Sequence, residues 1–221
     1  MLAWLMFAAL AVADLSPAAE AALKPLTEAI AAARAQQSAL PADAGPRERL
    51  ETAMALDQGP LLAMHHVDLS GLPETDRAAA RAEADARLAA ISEETTGAVT
   101  SLVPAEGWFS SAVYGQEAAT GAFLVILHAD IALQKRFLPA LEAMSERGEA
   151  LKWQYAMMYD RIAVAEGRPQ RYGTQMHCVA GRMVPEETEA PEGLEERRAP
   201  MGFRWPNYEA YLENFGACSQ D

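Results

Sequence analysis

The sequence predicts a mainly α-helical protein, an irregular helical bundle with a small β-hairpin near the C-terminal third. Long stretches consist of Ala, Leu, Glu and Gln, which favour helix, and their apolar residues recur three or four positions apart. Glycine and proline separate these stretches, as they do at the ends of helices. The 221 residues are enough for a domain with its own hydrophobic core.

The first residues predict a signal peptide. Residues 1–13 read MLAWLMFAALAVA, without a charged side chain, and are too few to span a bilayer as a helix. Ala11-Val12-Ala13 has the small-x-small form of a cleavage site before Asp14. The alternative is an apolar first helix that packs on the domain. We therefore expect a periplasmic or secreted protein without a stable membrane span, and a cytoplasmic one if this stretch is not a signal.

The rest of the chain divides into an N-terminal helix with a connector at 14–45 and a single helical domain at 46–221. Ser16-Pro17 predicts the start of the first helix, over about 16–38, with Ser as N-cap and Pro in the first turn. Further elements are expected as helices at about 46–64, 73–103, 133–147, 149–166 and 206–215, with the hairpin at about 170–185.

Three stretches within the domain need separate interpretation. Gly59-Pro60 should end or kink the helix that contains it. Residues 123–127, FLVIL, are apolar all round, which favours a central helix, with a strand as the alternative. Residues 185–200 are acidic and contain prolines, which predicts a surface loop.

The net charge of −13 at pH 7 bears on partners. A nucleic-acid binder needs clustered Lys and Arg to neutralise phosphates, whereas the arginines here are scattered among Glu and Asp. We therefore expect no nucleic-acid partner. We expect a small-molecule ligand, while the cofactor and any protein partner stay unknown. His65-His66 and His177-Cys178 lack further ligands at a recognised spacing, so the pattern predicts no metal site.

Polar residues among core-like residues between 128 and 175 mark the predicted site. The predicted catalytic residues are His128, Asp130 and Arg161, with His128 or Asp130 as the base and Arg161 stabilising charge. The predicted ligand-binding residues are Gln134, Asp160, Gln170, Tyr172, Thr174 and Gln175.

The helix around His128 allows two interpretations. On a continuous helix, Asp130 meets Gln134, which lies on the core-facing stripe. In a broken helix, Asp130 caps a new helix near Ile131 and His128 ends the preceding one. His128 itself is either a functional group, as a general base or a metal ligand, or a histidine satisfied by a backbone carbonyl.

Two other pairs also leave alternatives open. Asp160 and Arg161 form part of a buried ionic network that locks two helices to the hairpin, or Arg161 holds a carboxylate or phosphate of a ligand. Cys178 and Cys218 form a disulfide in an oxidising compartment, or remain unrelated thiols in the cytosol.

In combination, these motifs resemble a bacterial domain family of unknown function, DUF6624, over roughly residues 51–211. The resemblance implies a shared site but no activity. Two departures are Gly59-Pro-Leu61, where members often have an Arg, and Ile131-Ala-Leu133, where they often have a helix-breaking Asp-Pro. The matching motifs are Asp57-Gln58, Gly107-Trp108, His128-Ala-Asp130, Gln134, Asp160-Arg161, Gln170-Arg-Tyr-Gly-Thr-Gln175, Arg197-Arg198 and Tyr208.

Together, these features predict an exported helical domain with a polar pocket that binds or hydrolyses a small polar or anionic ligand. The alternative is a non-enzymatic interaction or scaffold domain whose polar cluster is a buried structural network. An open cavity lined by both His128 and Arg161 favours the first interpretation, and a closed network favours the second.

Overall fold

The computed structural model describes residues 15–218 and is mainly helical, as the sequence predicts. The signal peptide expected at 1–13 lies outside the described residues. Within those residues there are ten α-helices and one two-stranded antiparallel hairpin, and no helix there is long and apolar enough to cross a membrane. The helices are α1 (Pro17–Ala22), α2 (Lys24–Ala39), α3 (Pro46–Ala63), α4 (Glu74–Ser101), α5 (Ser111–Tyr114), α6 (Gln116–His128), α7 (Ile131–Glu146), α8 (Lys152–Ala165), α9 (Leu194–Arg198) and α10 (Tyr208–Glu213), and the strands are β1 (Met176–Val179) and β2 (Arg182–Pro185).

The N-terminal helix begins where the sequence predicts but is interrupted at Leu23. The Ser16 side chain accepts a hydrogen bond from the Ala19 N–H at 3.2 Å, which caps α1. The expected single helix is two helices, because Pro25 has no N–H to donate to the preceding turn. α1 packs on α4 and α2 packs on α3, so both helices are part of the bundle.

α3 continues through Gly59-Pro60 to Ala63 and does not end there. Pro60 costs the helix one backbone hydrogen bond. The packing of α3 against α2, α4 and α6 outweighs this local cost, as tertiary packing does for most protein helices. His65 and His66 lie exposed in the single 3-10 turn that follows.

α6 is the central helix, and residues 123–127 are helical. The Phe123, Val125 and Ile126 side chains have no solvent exposure. α3 passes very close to α6, since a Cβ atom on Gly121 would lie 2.8 Å from Met54 Cβ. A glycine at position 121 therefore sets the spacing between these two helices.

The hairpin turns at Ala180-Gly181, whose φ angles are 48° and 80°. Two successive positive φ angles are those of a type I′ turn, which matches the twist of a two-stranded hairpin. A disulfide joins Cys178 in β1 to Cys218. It fastens the C-terminal segment beside the hairpin.

The prediction of a surface loop at 185–200 is wrong for its last third, which forms α9. Arg198 is only 4% exposed. Its guanidinium lies 4.1–4.9 Å from the ring centroids of Phe203, Tyr208 and Tyr211. The mixed charges of this stretch resemble a solvated face, but aromatic rings from the following segment cover Arg198 and attract its charge.

Candidate functional site

Four helices border an open cavity of about 530 Å³. Its polar lining residues come from each of them: Asp57 from α3, Ser92 from α4, His128 from the end of α6 and Arg161 from α8. The remaining lining residues are Leu61, Leu88, Ala89 and Ile91. His128 and Arg161, two of the predicted catalytic residues, therefore line one solvent-reachable cavity.

Asp57 and His128 form a hydrogen-bonded pair on the wall of this cavity. His128 Nδ1 lies 2.8 Å from Asp57 Oδ2, and the Asp57 side chain is 3% exposed while that of His128 is 30% exposed. Gln58 Nε2 donates to the same Asp57 oxygen at 2.7 Å. The bond to Asp57 occupies Nδ1, which leaves Nε2 as the imidazole nitrogen available to a ligand.

The end of α6 places His128 beside Asp57. It is the last residue of α6, because the chain leaves the helical conformation at Ala129. Asp130 then serves as the N-cap of α7, and its Oδ1 accepts a hydrogen bond from the Leu133 N–H at 2.7 Å. The broken-helix interpretation is correct, and the break forms although this chain has no proline after Asp130. Asp130 is exposed and does not line the cavity.

Arg161 lies in the cavity wall as a half-buried cation. Burial lowers the pKa of its guanidinium. Within residues 15–218, no carboxylate forms a salt bridge with it. A partly desolvated guanidinium without a protein counter-ion is well suited to a bidentate anionic ligand.

Gln134 is fully buried and holds the junction between α6 and α7. Its Nε2 donates to Leu127 O at 3.1 Å and to Ala129 O at 2.9 Å. These carbonyls end α6 and would otherwise lack intrahelical partners. The prediction that Gln134 faces the core is confirmed, and its contacts are with backbone and not with the cavity.

Asp160 has no solvent exposure and binds the segment before the hairpin. It accepts hydrogen bonds from the backbone N–H groups of Arg171, Tyr172 and Thr174 and from the Thr174 hydroxyl, at 2.7–3.1 Å. Burial raises the pKa of Asp160, and these four donors partly offset the rise. Asp160 thus anchors residues 171–174 to α8 and does not pair with Arg161.

Gln170 closes the same segment from its other side. Its Oε1 accepts from the Gln175 N–H at 2.7 Å, and its Nε2 donates to Gln175 O and Glu186 O, both at 3.0 Å. Tyr172 packs edge-on to Tyr159, with ring centroids 6.0 Å apart. Neither Gln170 nor Tyr172 lines the cavity of His128.

A second cavity, of about 660 Å³, lies between α8, the hairpin and the C-terminal segment. Thr174 and Gln175 line it, and so does Arg161, which is therefore common to both cavities. Most of its other lining residues are apolar, among them Trp153, Met157 and Trp205. The cavities are thus lined by the predicted residues His128, Arg161, Thr174 and Gln175. Asp130 is an exposed helix cap, and the other predicted residues make internal contacts.

Comparison with known families finds a match for most of the chain. The family of unknown function DUF6624 matches residues 55–217, which is more than half of the chain. The chain belongs to the DUF6624 family. No curated protein and no solved structure matches it. The matched range contains both Asp57 and the His128–Gln175 stretch.

The sequence-based prediction left Asp57 out of the site residues of this DUF6624 domain. Asp57 stands 71 residues before His128, so no local pattern pairs them. The available signal was the Asp57-Gln58 motif among the family residues. Arg198 is a second residue that the sequence-based site missed, and it joins the Asp160 network because its Nη1 donates to Tyr172 O at 2.6 Å.

Metal binding has little support in the described part of the DUF6624 domain. No group of three or more His, Cys, Asp or Glu side chains in residues 15–218 is arranged to hold a metal ion. The cavity itself offers one carboxylate and one imidazole, and these two bind each other. The polar side chains of the cavity are those of Asp57, Ser92, His128 and Arg161.

Proposed function

We propose that the cavity between α3, α4, α6 and α8 binds a small anionic ligand at Arg161, and that His128 exchanges a proton with it. The single observation that carries this proposal is that the Asp57–His128 pair and Arg161 line the same open cavity. Arg161 has no carboxylate partner among residues 15–218 and supplies the positive charge.

The geometry of the Asp57–His128 pair supports a general base. A carboxylate that accepts the Nδ1 proton fixes the tautomer in which Nε2 is unprotonated, and it stabilises the imidazolium that forms when Nε2 takes a proton. In a hydrolytic reaction, Nε2 accepts a proton from water as the water oxygen adds to the ligand. The proton then passes to the leaving group, while Arg161 stabilises the negative charge that develops.

The second candidate is a non-enzymatic interaction or scaffold domain, and the Asp160 network favours it. Asp160 accepts hydrogen bonds from Thr174, and Gln170 donates to Gln175 O. These bonds join groups within the protein. This arrangement supports a structural role for the residues around 170–175. Arg161 takes no part in this hydrogen-bond network, and for that reason we favour the binding proposal.

Export is part of the same proposal. The apolar 1–13 sequence supports a signal peptide. The Cys178–Cys218 disulfide supports an oxidising compartment, such as the periplasm or the exterior.

The test of ligand binding uses inorganic phosphate, acetate and malonate as probes. Titration of each probe should perturb the NMR signals of the His128 ring, which are assigned by comparison with His128→Gln. The variant Arg161→Gln should weaken that response about tenfold or more, because it removes a charged hydrogen-bond donor. The matched control is Arg81→Gln, which removes the same charge from an exposed position on α4 and should leave the titration unchanged.

The outcomes separate the two candidates. A response that depends on Arg161, with the fold intact by circular dichroism, supports the binding site. If none of the three anions perturbs His128, or if Arg161→Gln and Arg81→Gln behave alike, the anion-binding proposal fails and the scaffold candidate takes its place. The hydrolytic step is tested with a panel of nitrophenyl esters, whose hydrolysis should be lost in His128→Gln and reduced in Asp57→Asn.

A further inference from the structure

We propose that the second cavity binds the hydrocarbon part of an amphipathic carboxylate whose carboxylate group lies at Arg161. The ligand class is thus an apolar monocarboxylate, of the fatty-acid type. This inference names the ligand of the proposed site, and it rests on the proposed function for the role of Arg161 as the anion-binding residue.

The size and lining of the second cavity fit a hydrocarbon. Its volume of about 660 Å³ is in the range of small-molecule sites. Apolar walls come from α6, α8, the hairpin and the C-terminal segment. The side chains on which the argument depends are Trp153, Met157, Met176, Met183, Phe203 and Trp205. Methionine side chains are flexible and polarisable, so three of them adapt readily to an aliphatic chain.

The charge of the second cavity selects a carboxylate. Its charged lining residues are Arg161 and Arg204, and no Asp or Glu lines it in the described part of the chain. This is notable in a protein whose net charge is −13. A cationic amphiphile would leave both guanidinium groups without a counter-charge, whereas a carboxylate supplies one.

Arg161 connects the two cavities through the fold. It lines both of them, and the adjacent residues Leu127 and His128 line one each. A ligand with its carboxylate at Arg161 therefore has an apolar cavity on one side and the Asp57–His128 pair on the other. Neither cavity alone has both the apolar lining and the Asp57–His128 pair.

The test measures how affinity depends on chain length. Calorimetric titration with acetate, butanoate, hexanoate and octanoate should show affinity rising by up to about fourfold for each added methylene group. Octylamine, which carries the opposite charge, should bind far more weakly than octanoate. Arg161→Gln should reduce octanoate affinity about tenfold or more and leave the affinity for octanol nearly unchanged.

A pair of hairpin variants tests the location of the chain. Met183→Glu places a carboxylate in the cavity wall and should abolish octanoate binding. Val184→Glu is the matched control, because Val184 is the next residue of β2, is 37% exposed and does not line the cavity. It adds the same charge and should leave octanoate binding intact.

The results distinguish this inference from the proposed function. If acetate and octanoate bind equally well and both depend on Arg161, the anion site stands and the hydrocarbon site is overturned. If octanoate binds without dependence on Arg161, this inference is overturned, while the Arg161-dependent response of His128 to phosphate decides the proposed function separately. If octanoate binding depends on chain length, Arg161 and Met183 but leaves the His128 ring signals unmoved, the inference stands and the proton-exchange role of His128 fails.

Discussion

Asp57 Oδ2 and His128 Nδ1 lie 2.8 Å apart although 71 residues separate them in the sequence. The contact joins α3 to α6, and its carboxylate is buried while its imidazole is partly exposed. A buried carboxylate beside a partly exposed imidazole orients the ring and leaves Nε2 without a part in that bond. The close packing of α3 on α6 is what makes this pair possible, and it gives the first prediction.

Gly121→Ala should destabilise the protein and disturb the Asp57–His128 pair. The added Cβ would lie 2.8 Å from Met54 Cβ, so α3 and α6 must move apart. Overpacking of this kind costs about 1–3 kcal/mol. Urea denaturation should show the loss in the free energy of unfolding, and the phosphate response of the His128 ring should weaken in the same variant.

The matched control is Gly97→Ala on α4. A Cβ at Gly97 meets no atom within 4 Å, so the substitution should instead stabilise the helix by about 0.5–1 kcal/mol. If the two alanine variants have the same stability, the contact between Gly121 and Met54 does not set the spacing of the helices.

Local patterns predicted the mainly helical fold and the hairpin, whereas Asp130, which was expected to point inward, is exposed. Gln134 lies on the apolar stripe of α7 and is buried. The two forms considered for the α6–α7 junction included the observed one, in which Asp130 is a cap. Asp57 could not be assigned to the site in this way, because its position beside His128 depends on how two distant helices pack.

The C-terminal segment shows a second limit of sequence reasoning. A stretch of charged residues such as Glu195-Glu-Arg-Arg198 is usually a solvated surface, yet Arg198 is buried among three aromatic rings. Two of those rings belong to α10, a predicted short helix, and only the tertiary fold brings α10 to Arg198. A pattern of charged residues therefore predicts solvent exposure correctly only where no aromatic side chains pack over the charged groups.

Asp160→Asn should destabilise the fold strongly. The two carboxylate oxygens of Asp160 accept from four donors. An Asn side chain has only one acceptor oxygen, and its NH₂ group would face donors that it cannot bind. A buried donor without an acceptor costs about 1–3 kcal/mol, so a total loss of about 2–5 kcal/mol is expected in denaturant unfolding.

Asp130→Asn provides the control for that substitution. Asp130 caps α7 from an exposed position, and Asn caps helices as well as Asp does, so the change should be within about 0.5 kcal/mol. Equal effects at positions 130 and 160 would mean that the Asp160 network is not what holds residues 171–174 on α8.

Reduction of the Cys178–Cys218 disulfide should destabilise the protein and loosen the second cavity. The bond closes a loop with a sequence separation of 40, for which chain entropy gives about 4 kcal/mol. Unfolding in urea should shift to lower denaturant on addition of reductant. The double variant Cys178→Ser/Cys218→Ser should already be shifted and should not respond to reductant. A wild-type protein that is indifferent to reductant would contradict the prediction.

The alkaline stability of the protein should depend on Tyr211. Burial raises the pKa of Tyr211 from 10.0 to about 12, and its hydroxyl donates to Thr174 O at 3.1 Å. Because the folded state holds this proton more tightly than the unfolded state, its contribution is fully present below pH 10 and is lost as the pH rises toward 12. Over that interval the free energy of unfolding should fall by roughly 2 kcal/mol from this group.

The variant Tyr211→Phe isolates the effect of that hydroxyl. At neutral pH it should lose about 1 kcal/mol, the ordinary value for one hydrogen bond. Between pH 10 and about 12 its stability should fall less steeply than that of the wild type, since it has no phenol to ionise at this position. Urea denaturation at several pH values measures both slopes, and identical slopes would show that Tyr211 ionises as freely in the folded protein as in the unfolded chain.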